Sequence, residues 1–256
     1  EVKFTGDFTL EQVKDIQKNK KKTRSQVPLM RNDEVIEFPC DQTTITKRLT
    51  EEAVQFVKTN KDKPFFLYMA HPMPHIPIFA SPAFKGKSAN GLYGDVIEEI
   101  DYNAGRILNH LKEIGIEDNT LVIVTSDNGP WLIKGKDGGS ALPLFEGKMT
   151  TFEGGQRVPC VMKWPGKIPA GSVCSELALS MDLLPTFAQI SGAAIPTVQA
   201  LDGKNIIDLM TAKAGTKTPH KVFFYDQTAV RIGDWAGAAQ ILSSVQYHVW
   251  NETRIH

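Results

Sequence analysis

The sequence is poor in cysteine, carries no net charge and has no long apolar run. Its 256 residues include three cysteines, 29 Lys+Arg and 29 Asp+Glu. No run approaches the roughly 18 apolar residues of a membrane helix, so we expect no integral membrane segment. Because the charge is balanced, no global field attracts nucleic acid, and we expect no such partner. Cys40, Cys160 and Cys174 form no C-x-x-C pair, which excludes the usual cysteine zinc and redox motifs.

The composition and the first residues give further limits. With 41% hydrophobic and 23% charged residues, the chain is typical of a globular protein rather than a disordered, collagenous or coiled-coil one. It begins at Glu1 and shows neither the apolar region nor the cleavage site of a signal peptide. We therefore interpret it as a processed chain or a fragment.

Helical and strand-like stretches alternate along the chain, which predicts an α/β fold. Asp95 is expected to cap a long amphipathic helix, with Glu98 completing a capping box and Gly115 ending the helix. A second helix is predicted from Asp182 to a stop at Gly192. Short apolar runs predict buried strands at residues 64–70 and 121–125, and further strands at residues 158–164 and 222–225. Continuous apolar strands are typical of a largely parallel sheet flanked by helices.

Polar side chains gather where ligands bind in such folds, beyond the carboxyl ends of strands. Asp127 and Asn128 directly follow a predicted strand, and their oxygens suit Ca²⁺ or Mg²⁺ rather than zinc. His75 lies between prolines and is able to donate to an anionic oxygen. Lys148 lies in a glycine-flanked loop, where the backbone can approach an anion and the ammonium supplies charge.

Each of these clusters also has an ordinary structural interpretation. Asp-Asn-Gly-Pro is a favourable turn, a loop histidine needs no role, and a lysine in a loop is commonly solvated. Together, however, a cation, a histidine and a lysine form a set suited to hydrolysing a sulfate or phosphate ester. These residues do not distinguish a sulfate ester from a phosphate ester as the substrate.

At these residues the sequence resembles the sulfatase family, the arylsulfatase A-like branch of the alkaline-phosphatase-type fold. The resemblance runs from about Thr43 to Trp235. It rests on PFFLYMAHPMPHIP (64–77), GLYGDVIEEID (91–101), TLVIVTSDNGP (120–130), GKMTTFEGGQRVP (147–159) and AVRIGDW (229–235). We therefore expect residues 43–235 to form the core of the second half of a sulfatase domain. Residues 1–42 would be a polar helix and loop segment of that domain, and residues 236–256 an atypical or truncated tail.

The resemblance implies a role for each matching polar residue. Asp127 and Asn128 are expected to bind the divalent ion, usually Ca²⁺, with Mg²⁺ as the alternative. His75 resembles the histidine that contacts the sulfate ester and assists the leaving group. Lys148 resembles the lysine that binds the sulfate oxygens.

Two further residues of the same signature, Glu153 and Arg157, are expected to pair with each other and hold the lysine loop. His71 lies near His75, but the resemblance gives it no firm role.

The nucleophile of the family does not occur in this sequence. Sulfatases use a formylglycine made from Cys or Ser in a C-x-P-x-R type of motif, and none of the three cysteines and no serine begins one. The family's paired aspartates are also absent. We therefore expect both to lie upstream, and the chain to be a second half that is inactive by itself.

The resemblance implies a sulfuric ester hydrolase acting on a sulfated small molecule or a sulfated glycan. One alternative is a phosphate or phosphonate ester hydrolase of the same superfamily. Another is a non-catalytic relative that binds anions or glycans. The family implies a secreted, periplasmic or lysosomal location.

Overall fold

A computed structural model describes residues 4–8, 11, 14, 18, 27–195, 200–225 and 229–238. The predicted tail, residues 236–256, therefore lies outside the described residues from residue 239 onward. Most of the predicted polar segment before residue 27 also lies outside them. The chain divides into two compact units, the first comprising Glu1–Ile116 with Ile133–Gly139 and the second Glu117–Leu132 with Ser140–His256. No helix within the described ranges is both long and apolar enough to cross a membrane.

The described residues of the first unit include a small antiparallel sheet and two long helices. The sheet has the order β1-β3-β2, and the two helices pack against each other. Its elements are β1 (Phe4–Phe8), β2 (Leu29–Arg31), β3 (Glu34–Phe38), α1 (Ile45–Asn60) and α2 (Gly91–Glu113). Ion pairs from Arg48 to Glu37 and from Arg31 to Glu52 connect α1 to the sheet. The core contains Cys40, Ile45, Met73, Ile78, Ala80 and Val96.

Helix α2 ends as predicted but begins earlier. Gly115, at φ 74°, follows its last turn, as expected of a glycine stop. Because the helix begins at Gly91, Asp95 lies inside it, and the predicted capping box is wrong. The buried Asp95 carboxylate instead accepts backbone hydrogen bonds from the preceding loop, from residues 86, 87 and 88 at 2.7, 2.9 and 2.7 Å. It therefore fixes that loop against the helix.

The apolar run at residues 64–70 forms no helix and joins no strand ladder among the described residues. Its side chains alternate, so that Phe65 and Leu67 are half-buried while Phe66 and Tyr68 are 68% and 80% exposed. The predicted burial on both faces is therefore wrong here. A strand is buried on both faces only when other layers cover both, and one face of this segment has no such layer in the described part of the chain.

The described residues of the second unit form two separate antiparallel sheets. One pairs β4 with β5, and the other has the order β6-β7-β8. The strands are β4 (Val122–Thr125), β5 (Cys160–Lys163), β6 (Phe223–Tyr225), β7 (Ala229–Ile232) and β8 (Trp235–Ala238). The helices are α3 (Glu153–Gln156), α4 (Leu183–Ser191) and α5 (Ile207–Met210). A buried cluster of Ile206, Leu209 and Met210 packs against side chains of β4 and β5.

Every strand pair within the described ranges is antiparallel, so the predicted parallel sheet does not form there. Three of the four predicted strands, at 121–125, 158–164 and 222–225, form at the expected places as β4, β5 and β6. A run of apolar residues does not, however, specify which strand lies beside it. β4 pairs with β5, with Thr125 opposite Cys160, and the segment between them contains Lys148.

A buried carboxylate also organises the end of the second unit. Asp182 is fully buried before α4, which ends at the predicted Gly192. His220 Nε2 lies 2.8 and 2.9 Å from the two Asp182 oxygens, which also accept the backbone N–H groups of Leu179 and Lys204. This network ties α4 to the segment that leads into β6.

Replacing Asp95 with Asn should destabilise the complete polypeptide that carries this chain, and the effect should depend on pH. Backbone hydrogen bonds, with that from Ser88 first, lower the pKa of the Asp95 carboxyl below its ordinary value. The stability that it contributes is therefore present above the unfolded pKa of about 3.9 and is lost as the pH falls through the folded pKa.

We expect D95N to lower the urea midpoint at pH 7 and to approach the wild-type midpoint as the pH falls below about 4. Urea unfolding from pH 7 to pH 3 measures this. The control is D101N, which alters an exposed carboxylate on the same helix. Equal midpoints for D95N and wild type at pH 7 would contradict the role of Asp95.

Candidate active site

The turn after β4 presents two oxygen-bearing side chains. Ser126 Oγ donates to the Asn128 carbonyl at 3.1 Å and so closes the turn. Asp127 is exposed and its carboxylate makes no hydrogen bond or ion pair within the described ranges, while Asn128 is half-buried. Carboxylate and amide oxygens are ligands for hard divalent cations.

These two donors are only part of a metal site. Within the described residues, no group of three or more His, Cys, Asp or Glu side chains is placed to hold a metal ion. Ca²⁺ takes about six to eight oxygen ligands and Mg²⁺ about six. Asp127 and Asn128 thus have the right chemistry for either ion but supply a minority of its ligands.

Glycines allow the turn and the lysine-bearing segment to touch through their backbones. Gly129 N–H donates to the Gly155 carbonyl at 2.9 Å, and Lys148 N–H donates to the Pro130 carbonyl at 2.8 Å. A Cβ at Gly129 would lie 1.8 Å from the Gly154 carbonyl oxygen, which no real Cβ can do. Glycine is therefore required at position 129 by the close approach of the two segments.

Further hydrogen bonds fold residues 145–157 into a closed loop, which we call the lysine loop. Gly154 N–H donates to the Phe145 carbonyl at 2.8 Å. Thr150 Oγ1 donates to the Gly147 carbonyl at 2.8 Å, and Gln156 Nε2 donates to the Thr150 carbonyl at the same distance. The backbone on both sides of Lys148 is thus held.

Lys148 is half-buried, and its ammonium has no carboxylate partner in the part of the chain that the structure describes. Its Nζ lies 5.5 Å from the centroid of the Trp131 ring, within the range of a cation–π contact. An aromatic face helps to orient an ammonium without neutralising its charge. The charge of Lys148 is therefore available to an anion.

Glu153 is the buried acid of the lysine loop, with 6% exposure. The predicted partner, Arg157, is 59% exposed and lies 3.8 Å from Glu153 Oε2. A closer partner, which the sequence did not reveal, is Arg231 on β7, whose NH1 lies 2.7 Å from Glu153 Oε1. The Tyr225 hydroxyl donates to the same oxygen at 3.5 Å. The one signal available was that Arg231 lies within a motif that resembles the family, AVRIGDW.

The two histidines of the Pro-rich loop belong to the first unit. His75 is exposed, and its Nδ1 lies 2.7 Å from the Ile76 carbonyl, which orients the ring and favours a proton on Nδ1. His71 is half-buried, and within the described residues its buried Nδ1 has no hydrogen-bond partner. Burial lowers the pKa of His71, so its neutral form is favoured.

Comparison with known proteins identifies the family. The family profile named Sulfatase matches residues 3–193. The chain is 35% identical to human (Homo sapiens) steryl-sulfatase over 89% of its own length. It is 40% identical to N-acetylgalactosamine-6-sulfatase of Canis lupus familiaris over 80%. The chain belongs to the sulfatase family. It spans 38% and 41% of the lengths of these two relatives.

Solved structures agree with this family and with its fold. The crystal structure of PsFucS1 sulfatase from Pseudoalteromonas sp. matches with a TM-score of 0.72 and 33% identity, over 77% of this sulfatase chain and 40% of that one. Ps i-CgsB in complex with k-i-k-neocarrahexaose matches with the same TM-score and identity, over 93% and 55%. The predicted α/β fold of the alkaline-phosphatase type is therefore confirmed. The family match begins at residue 3, well before the first motif noted in the sequence.

The contact between the turn and the lysine loop of this sulfatase chain can be tested at Gly129. A G129A substitution forces the two backbones apart, and we expect it to destabilise the protein by about 1–3 kcal/mol, the usual cost of overpacking. The matched control is G105A inside α2, where an added Cβ meets nothing within 4 Å. It should stabilise by up to about 1 kcal/mol because alanine favours helices. Thermal or urea unfolding of both variants measures the difference; a G129A protein as stable as G105A would refute the contact.

Proposed function

We propose that the complete polypeptide carrying this chain hydrolyses sulfate monoesters. The observation that carries the proposal is the Lys148 ammonium. It lies on a loop closed by backbone hydrogen bonds, beside the turn that bears Asp127, and no carboxylate neutralises it within the described ranges. Membership of the sulfatase family supports the same chemistry.

In this proposal Lys148 binds the nonbridging oxygens of the sulfate group. These oxygens carry the negative charge of the ester, and a held ammonium stabilises them without having to reorganise during the reaction. Charge also develops on the bridging oxygen as the S–O bond breaks. Protonated His75 would supply a proton there, acting as the general acid for the leaving group.

Asp127 and Asn128 would hold a divalent cation together with ligands from elsewhere. A hard cation of this kind stabilises charge on the ester oxygens when it is bound. We favour Ca²⁺, with Mg²⁺ as the alternative, because both donors are oxygens. The 256 residues contain no C-x-P-x-R motif, so the proposed formylglycine nucleophile is supplied by sequence outside them.

For the substrate we propose a sulfated small molecule or a sulfated glycan, handled in a secreted, periplasmic or lysosomal setting. The names of similar proteins span both classes of substrate, with a steryl-sulfatase, an N-acetylgalactosamine-6-sulfatase and a protein solved with k-i-k-neocarrahexaose. A phosphonate monoester hydrolase also shares the fold, with a TM-score of 0.60. At 19% identity, that likeness supports no phosphonate activity here.

Replacing Lys148 or His75 tests the proposed reaction. In the complete polypeptide, we expect K148A and H75A each to lower kcat for an aryl sulfate by about 10²-fold or more, the scale of losing one preorganised donor. The control is K167A, because Lys167 is an exposed lysine of the same unit as Lys148. Steady-state kinetics with aryl sulfate and aryl phosphate give the readout. Near-normal kcat in K148A, or turnover of phosphate alone, would overturn the proposal, and near-normal kcat in H75A would exclude His75 as the general acid.

Metal dependence tests the role of Asp127. Removal of divalent ions with a chelator should abolish sulfate ester hydrolysis, and Ca²⁺ or Mg²⁺ should restore it. We expect D127N to raise the apparent dissociation constant of the restoring ion by at least about tenfold, because an anionic ligand becomes neutral. Calorimetric titration of the metal-free protein reports this without relying on activity. The control is D118N, a surface acid outside the β4 turn. Unchanged metal affinity in D127N would exclude it as a ligand.

A further inference from the structure

We propose that Arg231 is a positioning residue for Lys148, acting through the buried carboxylate of Glu153. The inference rests on the proposed function, since it assigns a partner to the lysine that would bind the sulfate group. It replaces the predicted Glu153–Arg157 pair as the main support of the lysine loop. Arg231 is separated from Glu153 by 78 residues along the chain.

Burial makes a cationic partner for Glu153 necessary. Its side chain is 7% exposed, and a carboxylate removed from water is costly unless an opposite charge and hydrogen bonds compensate it. Arg231 NH1 supplies both at 2.7 Å, from a side chain that is only 22% exposed. Arg157 lies farther away on the solvent side, where an ion pair contributes little.

Arg231 is itself held in place. Its Nε donates to the Gly233 carbonyl at 3.0 Å, while NH1 contacts Glu153, so the guanidinium is fixed at two points. Burial by itself lowers the pKa of Arg231, but the charge and hydrogen bond of Glu153, together with Tyr225, raise it above its ordinary value. The guanidinium therefore stays charged.

The contact is transmitted to Lys148 through the backbone of the lysine loop. Glu153 is the first residue of α3, and Gly154, which follows it, donates to the Phe145 carbonyl. Gly155 accepts the hydrogen bond from Gly129. A shift of Glu153 would thus loosen both the closure of the loop and its attachment to the β4 turn. Lys148 would lose the fixed backbone from which its ammonium is presented.

The test is a double-mutant cycle in the complete polypeptide. We expect R231A to lower kcat/KM for an aryl sulfate by about 10- to 100-fold, the scale of a binding group displaced by about 1 Å. In a K148A background, R231A should lower kcat/KM by less than about twofold, because the group that it positions is already gone. The melting temperature should fall equally in both backgrounds. A purely structural role would instead give the same loss of kcat/KM in both.

Conservative and control variants sharpen the cycle. R231K keeps the charge but loses the two-point attachment, so its kcat/KM should lie between those of wild type and R231A. Where R231A does not yield folded protein, R231K is carried through the same cycle with the same expectation.

The R157A variant should lower kcat/KM by less than about threefold, as expected for an exposed ion pair. R31A, which removes an exposed arginine paired with Glu52, is the matched control.

The outcomes separate this inference from the proposed function. If K148A keeps wild-type turnover, the proposed function fails. If K148A loses turnover but R231A does not, the role of Arg231 fails while the function stands. The role also fails if the effects of K148A and R231A multiply, or if R157A costs as much as R231A.

Discussion

The close approach of two backbone segments is the constraint on which the candidate site depends. Gly129 and Gly155 share a 2.9 Å hydrogen bond, and a side chain at Gly129 would collide with the Gly154 carbonyl. This contact places the turn that carries Asp127 against the loop that carries Lys148. Glycine is required at position 129 because a Cβ there would occupy the space of the facing Gly154 carbonyl.

Buried carboxylates fix the loops that surround this contact and those farther away. Asp95 accepts three backbone N–H groups, Glu153 faces Arg231, and Asp182 faces His220. In each case a charge that would be costly to bury is compensated by donors from another part of the chain. Such groups hold irregular segments that have no helix or sheet pairing of their own. Charge interactions and hydrogen bonds, rather than apolar packing, therefore hold part of the molecule in place.

Local sequence patterns predicted the positions of helices and strands better than they predicted which segments lie side by side. The strand that became β4 and the helix stop at Gly115 were correct, because apolar runs and glycine stops act over a few residues. The cap at Asp95 was wrong, because its carboxylate binds the preceding loop instead. Within the described ranges every strand pair is antiparallel, and the run at 64–70 is exposed on one face rather than buried on both. Pairing and burial depend on which other segment lies alongside, and periodicity carries no such information.

The sequence by itself determined the family, the α/β class and the set of candidate polar residues. The family and the polar residues could be recognised because they lie in short motifs. The α/β class could be recognised because helices and strands leave local patterns in the sequence. Tertiary structure decided how they are supported. It joined the lysine loop to the β4 turn, left Lys148 without a carboxylate partner in the described ranges, and gave Glu153 a partner 78 residues away. A buried charge selects its partner by distance and burial in space. Neither can be read from the spacing of residues along the chain.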